Sequence, residues 1–274
     1  MNSSSVSQVE IGMFPEVERY LGELVDAARG TLGANLVGAY AAGSVALGAY
    51  QPGRSDVDVA LVCEHTVDLP LKRALVSRLR HEALPCPARG LELVLYRRAV
   101  AQSGTIEPGF DVELNSGAGM TFRATYAAED RPAADGRFWY ALDRSILHQS
   151  GYALWGPPAP QMFADLSPAD VPALLVDALR WWLDLPTPPG DEPAPGTDDA
   201  VLGACRSLVR YRHGVWLSKG AAGRRLRDTG IAAELIDRCL QARHGGPPPR
   251  PSEARAFQNQ VLDEILAELC SGAP

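Results

Sequence analysis

The sequence predicts an α+β protein: an N-terminal α/β domain over residues 1–156 followed by an all-helical domain over residues 157–274. Three observations lead there. Short β-branched apolar runs alternate with helical patterns only in the first part of the chain. The segment Gly156-Pro157-Pro158-Ala159-Pro160 then interrupts any regular element. Beyond it, every periodic segment has helical spacing. A chain of 274 residues, 46% hydrophobic and 22% charged, is long enough to bury two cores of ordinary soluble composition.

The elements follow in order. Val17, Leu21, Leu24, Val25 and Ala28 recur at helical spacing and predict a helix over Phe14 to Ala28. Leu36 to Ala42 and Val57 to Val62 read as strands, bounded by turn residues. Leu71 to Ala83 reads as a helix and Leu91 to Tyr96 as a strand. Asp111 to Asn115 and Thr121 to Tyr126 read as short strands, Trp139 to Gln149 as a helix and Gly151 to Trp155 as a last extended piece. The helical part contains Pro168 to Leu185, Ala200 to Trp216, Lys219 to Leu226, Ile231 to Arg243 and Ser252 to Leu269. Two Pro-rich stretches, Pro186 to Pro195 and Pro247 to Pro251, divide it.

Charge and composition narrow the function. A net charge of −7 lacks the basic footprint of a nucleic-acid binder and suits a cationic ligand. The five cysteines, Cys63, Cys86, Cys205, Cys239 and Cys270, have no CxxC spacing, so free thiols are expected rather than zinc or a disulfide framework. No apolar run approaches the ~18 residues of a membrane span. The stretch Met1 to Glu10 is Ser-rich, with neither the basic nor the apolar part of a signal peptide. A cytoplasmic protein without membrane partners is expected. Of 26 basic residues only Lys72 and Lys219 are lysines, which makes each more informative than any one arginine.

One segment carries chemistry: Gly43-Ser44, a loop, then Ser55-Asp56-Val57-Asp58-Val59 opening a strand. Residues i and i+2 of a strand share a face, so Asp56 and Asp58 point the same way while Val57, Val59 and Leu61 enter the core. Two adjacent carboxylates repel and raise each other's pKa unless a cation lies between them. Hard oxygen ligands on one face suit Mg²⁺, which takes its remaining ligands from phosphates. The Gly-Ser turn offers N–H groups and a hydroxyl to phosphate oxygens. On the strand Leu91 to Tyr96, Glu92 is a lone carboxylate among apolar residues, and must be paired, bind metal or have a raised pKa. Lys219 follows Ser218, a plausible N-cap, and a cation there opposes the helix dipole, so a phosphate partner is attractive.

This pattern resembles the nucleotidyltransferase superfamily, and more narrowly the aminoglycoside adenylyltransferases that modify spectinomycin and streptomycin. The resemblance continues through Leu91-Glu92-Leu93-Val94, the Gly151 to Pro157 stretch, Val201 to Arg206 and Ser218 to Ala222. It implies a mixed sheet in the first domain and transfer of AMP from ATP to a substrate hydroxyl, with release of pyrophosphate. It further implies that Asp56 and Asp58 hold Mg²⁺, that Gly43, Ser44 and Ser55 position the triphosphate, and that Glu92 is the general base. Arg206 and Lys219 would reach the ATP phosphates from the helical domain. The implied partners are ATP and a small hydroxyl acceptor, for a monomeric enzyme.

Acids that could hold a cationic acceptor are Glu107, Asp111 and Glu113 in one segment, and Asp184 on a helix with Asp177, Trp181 and Trp182. Trp181 and Trp182 read more readily as packing than as sugar platforms, with Trp181 kept as a candidate contact to the acceptor, and Asp198 and Asp199 read as acids suited to a helix N-terminus. His148 and His213 read as structural. Family members that accept streptomycin carry Trp where Glu113 stands and Asp where Gly196 stands, so the resemblance favours spectinomycin. The rival readings are the same transfer to a biosynthetic intermediate or a protein hydroxyl, and a nucleotide-binding or antitoxin-like module without turnover.

Overall fold

The computed structural model describes residues 14–186 and 190–271. The Ser-rich stretch Met1 to Glu10 and residues 187–189 of the first Pro-rich stretch lie outside the described residues.

The first half of the chain folds as α1 (Pro15–Leu32), β1 (Leu36–Ala41), α2 (Gly43–Ala46), β2 (Val57–Cys63), α3 (Leu69–Leu79), β3 (Leu91–Arg97), α4 (Arg98–Ala101), β4 (Phe110–Gly117), β5 (Met120–Thr125), α5 (Trp139–Ser150) and β6 (Tyr152–Trp155). Pro15 opens α1, where its missing N–H costs nothing, and Glu16 and Glu18 complement the dipole. Asp68 caps α3 by accepting from the Leu71 N–H at 2.9 Å. That helix stops at Leu79, short of the expected Ala83, because Arg80 turns extended and residues 83 and 84 close a turn on its carbonyl.

The six strands form one mixed sheet in the order β5-β4-β3-β2-β1-β6. The central pair, β2 and β3, is parallel and joined through α3; the other neighbours are antiparallel. One face packs Val57, Val59, Leu61, Leu91, Leu93 and Leu95 against α1 and α3. The other places Tyr40, Ala60, Val62 and Tyr96 against α5, Met162 and Phe163. Alternation along each strand therefore sorts residues between a dry face and a face that meets the rest of the chain.

The second half is helical: α6 (Ala159–Met162), α7 (Val171–Asp184), α8 (Thr197–His213), α9 (Lys219–Arg227), α10 (Ala233–Ala242) and α11 (Pro251–Ser271). Helix α8 lies at its centre, packed against α7, α9, α10 and α11 around Val201, Cys205, Leu208, Ile236 and Val261. Gly214 ends α8 in the left-handed conformation, φ 66°, that a helix terminus of this type needs. The expected boundary at residue 156 falls between β6 and α6, yet α6 still packs on the sheet side. A further apolar cluster joins Ala141, Leu142 and Ile146 of α5 to Leu174, Leu175 and Ala178 of α7 and to Trp216. The five cysteines are unpaired, and no described helix is long and apolar enough to cross a membrane.

Candidate active site

The parallel pairing of β2 and β3 brings the principal acids together. Asp58 and Glu92 are direct register partners, and Glu92 is in turn opposite Asn115 of β4. All three stand on the α5 face, because Val57, Val59, Leu91 and Leu93 occupy the opposite one. Burial, then the charges of Asp56, Glu92 and Asp143, pushes the Asp58 carboxyl well above its ordinary value, with Arg206 acting against them. Burial, then Asp56 and Asp143, pushes Glu92 up to about 7. The row is a concentrated negative charge that only a cation or a proton relieves.

The turn after β1 is shaped around Asp58. Gly43, with φ +54°, faces its carboxylate so closely that a Cβ there would overlap it, 2.6 Å from the Asp58 Cγ. Only glycine combines that backbone with that approach. Next to it the Ser44 hydroxyl is buried without a hydrogen-bond partner among the described residues, a state that calls for a ligand. The Ser55 hydroxyl accepts from the Gln51 N–H at 3.0 Å and so shapes the loop. Asp56 is ion-paired to Arg89 at 2.5 Å.

A cationic wall faces this row across a cleft of about 1520 Å³. That is more than the ~300–1000 Å³ of a typical single-ligand pocket, so two ligands fit. Arg206 projects from α8 with no ion-pair partner within 4 Å among the described residues; burial lowers its pKa, and the charges of Asp143 and Asp58 oppose that. Lys219 opens α9, whose N-cap Ser218 accepts from the Ala221 N–H at 3.2 Å. Burial also lowers Lys219, against the nearby Asp199, 3.4 Å away. Arg224, Arg227 and Arg243 line the same side. Cationic and acidic side chains line the cleft in near-equal number, so the net charge of −7 does not describe the field inside it.

Beyond Glu92 the cleft ends in an aromatic corner. Trp139 and Asp143 are four residues apart on α5 and share a face. Trp139 meets Trp181 edge-on at 6.0 Å, Trp181 meets Trp182 at 5.3 Å, and the Trp181 Nε1–H donates to the Ala134 carbonyl at 2.9 Å. The Asp143 carboxyl reaches the open cleft but is ringed by protein; burial pushes it up to about 6, against Arg206 and Arg144.

The remaining acids separate. Glu113 lies in the cleft floor but is 5% exposed and engaged by Arg131 at 2.8 Å, Arg123 at 3.0 Å and Thr125 at 3.1 Å. It orients two arginines rather than standing free for a cation. Asp111 is the extra residue where the β3–β4 register breaks, and it turns to the Val67 N–H and Lys72, away from the cleft. Its partner Lys72 is therefore structural. Glu107 is exposed in a loop and Asp184 exposed at the end of α7; neither lines the cleft. Asp198 and Asp199 do more than favour a helix start: both grip Arg54 from the loop before β2. His148 holds the Phe163 carbonyl at 2.6 Å.

Sequence reasoning missed Asp143, Arg54, Arg89 and Trp139. No spacing could place α5 over the β2–β3 row; only the i, i+4 relation of Trp139 and Asp143 offered a hint. These residues fit a divalent metal whose remaining ligands are phosphate oxygens. Among the described residues no three His, Cys, Asp or Glu side chains form a ready-made cage. Asp56 and Asp58 would supply two oxygens and phosphates the others, the habit of Mg²⁺.

No family model matches the sequence, and no curated protein does. Among solved structures, the chain is similar to spectinomycin adenyltransferase AAD(9) from Enterococcus faecialis, seen with ATP and spectinomycin. The two are 14% identical, the match covers 90% of this chain and 98% of that one, and the TM-score is 0.62. Over most of its length, then, this chain shares the α+β fold of that spectinomycin adenyltransferase.

Proposed function

We propose that the protein transfers AMP from ATP to a hydroxyl of a small cationic acceptor. The observation that carries this reading is the pairing of Asp58 with Glu92 in one ladder, facing Arg206 and Lys219 across the cleft. Two tasks need two kinds of carboxylate. Asp56 and Asp58 would hold the metal ion that the triphosphate needs, and Glu92, pushed up to about 7, accepts a proton at neutral pH. The acceptor oxygen attacks the α-phosphorus, the bond to the bridging oxygen breaks, and pyrophosphate leaves while the hydroxyl proton passes to Glu92. Mg²⁺ bound at Asp56 and Asp58 would neutralise the triphosphate. Ser44, whose hydroxyl has no partner among the described residues, positions phosphate together with the Gly43 backbone and Ser55. Arg206 and Lys219 hold the phosphates from the helical side, so that the units 1–156 and 157–274 close on the nucleotide together.

The aromatic corner and Asp143, which has no ion-pair partner within 4 Å among the described residues, support a cationic acceptor, and spectinomycin, which the structural neighbour binds, is the first to test. The measurement is pyrophosphate release with ATP and Mg²⁺ against spectinomycin, streptomycin and a neutral polyol. Glu92→Gln should lower kcat by about 10²- to 10⁴-fold, the range for loss of a general base. ATP affinity should change by less than about threefold, under ~0.7 kcal/mol. Asp58→Asn should cost roughly 10²-fold or more, the scale of losing a main charge stabiliser. No pyrophosphate with any acceptor would favour a nucleotide-binding module instead. ATP binding lost together with rate in Glu92→Gln would make Glu92 a metal ligand.

A further inference from the structure

The start of α8 meets the loop before β2 through a compact set of charges. Asp198 is 2% exposed and lies behind the cleft wall; Arg54 is its only cationic partner within 4 Å among the described residues. Asp199 is 28% exposed at its side chain, lines the cleft, and meets three cations: Arg54 at 3.0 Å, Lys219 at 3.4 Å and Arg243 at 2.8 Å. The loop that carries Arg54 is itself stiff. The Arg54 and Ser55 N–H groups donate to the Gln51 carbonyl at 3.2 and 2.9 Å, and Gln51 Nε2 reaches the Arg243 carbonyl at 3.4 Å. Two residues after Arg54 comes Asp56.

We propose that these adjacent aspartates divide the work of nucleotide capture: Asp198 is a fixed latch, holding Arg54 and the loop leading to Asp56 against the helical region, whereas Asp199 is an exchangeable anion that occupies Lys219 and Arg243 until phosphate replaces it. Solvent access separates them. A buried carboxylate with one guanidinium partner is costly to break, because the survivor is left uncompensated. A partly exposed carboxylate shared by three cations leaves positive charge over, and a polyphosphate with more oxygens competes for it. Lys219 is the natural cation to change partners, since at the first position of α9 its charge opposes the helix dipole. Asp199 keeps Arg54 when Lys219 departs, so exchange leaves the latch closed. The identity of phosphate as the competing anion rests on the adenylyl-transfer reading; the latch does not.

The test is calorimetry on the full chain with Mg-ATP and, separately, inorganic triphosphate, joined to small-angle scattering without ligand. Asp199→Asn should tighten triphosphate binding by roughly three- to tenfold, the worth of one partly screened ion pair. Asp198→Asn and Arg54→Gln should weaken Mg-ATP by about tenfold or more and increase the radius of gyration, and Arg54→Lys should restore part of both. Arg212→Ala, which removes an exposed pair with Glu264 and Glu268 at the far end of α8, should do neither. Opposite signs at neighbouring residues cannot come from general destabilisation, and circular dichroism confirms that each variant is folded. Weaker triphosphate binding in Asp199→Asn would overturn the exchange. Unchanged affinity and size in both Asp198→Asn and Arg54→Gln would overturn the latch. A wild-type chain that binds neither ligand would overturn the exchange and the adenylyl-transfer reading together, with scattering still deciding the latch.

Discussion

At the scale of single residues, the site depends on what a side chain excludes as much as on what it offers. Gly43 shows this best. Its backbone is in the left-handed region and its α-carbon abuts the Asp58 carboxylate, so an added methyl has no room. Gly43→Ala should combine about 1–2 kcal/mol of backbone strain with displacement of Asp58. A lowered melting temperature, by several degrees, and a loss of pyrophosphate release comparable to that of Asp58→Asn are expected. Alanine tolerated in both measurements would mean the close approach is not needed. Glu113 makes the complementary point. Its type and position suggest a cation site, but Arg131 and Arg123 already satisfy it, so its chemistry is spent on holding the guanidinium groups in place.

At the scale of elements, the parallel β2–β3 pair stores electrostatic strain. Glu92 titrates near 7 in the fold, against an ordinary value of 4.5, and Asp143 near 6, against 3.8, with Asp58 raised as well. Each raised acid binds more protons in the folded chain than in the unfolded one. Stability from this source is therefore greatest in acid and falls as pH rises from the unfolded pKa through the folded one. For Glu92 the window is about pH 4.5 to 7, and the loss is roughly 3–4 kcal/mol at most. Denaturant melts of the ligand-free protein should show declining stability between pH 5 and 8, and Glu92→Gln should flatten the decline. An unchanged slope in that variant would place the strain elsewhere. A cation bound at the row should offset the same loss at pH 8.

For the whole molecule, the two halves share a core as well as a cleft. Leu175 is 1% exposed among Ala141, Leu142 and Ile146 of α5 and Leu174 and Ala178 of α7. Leu175→Ala should cost about 2–5 kcal/mol, the usual cost of such a cavity. Because the cluster belongs to both halves, calorimetry should show one unfolding transition moved down as a whole. Two separated transitions in the wild type would mean that the halves fold independently. The shared core also sets where α5 sits, and α5 carries Trp139 and Asp143 over the carboxylate row.

The sequence by itself was enough for the order of the strands and the longer helices, the sheet followed by helices, and the grouping of Gly43, Ser44, Asp56 and Asp58, because these depend on local periodicity and on turns a few residues long; the short helices α4 and α6, the latter starting inside the Pro-rich stretch after residue 156, carry no such signal. It also showed that Glu92 shares its strand face with Val94. It could not show that Asp58 and Glu92 are ladder partners, since strand order and register are set by long-range packing of the dry faces of β2 and β3. The fates of Asp111 and Glu113, two residues apart, were equally out of reach: a register break sends one to Lys72 and leaves the other in the cleft. Asp198 and Asp199 look alike as residues at a helix start. Only the docking of α8 on the loop at Arg54 buries one and leaves the other open to the cleft, because burial is a property of the neighbours that tertiary folding supplies.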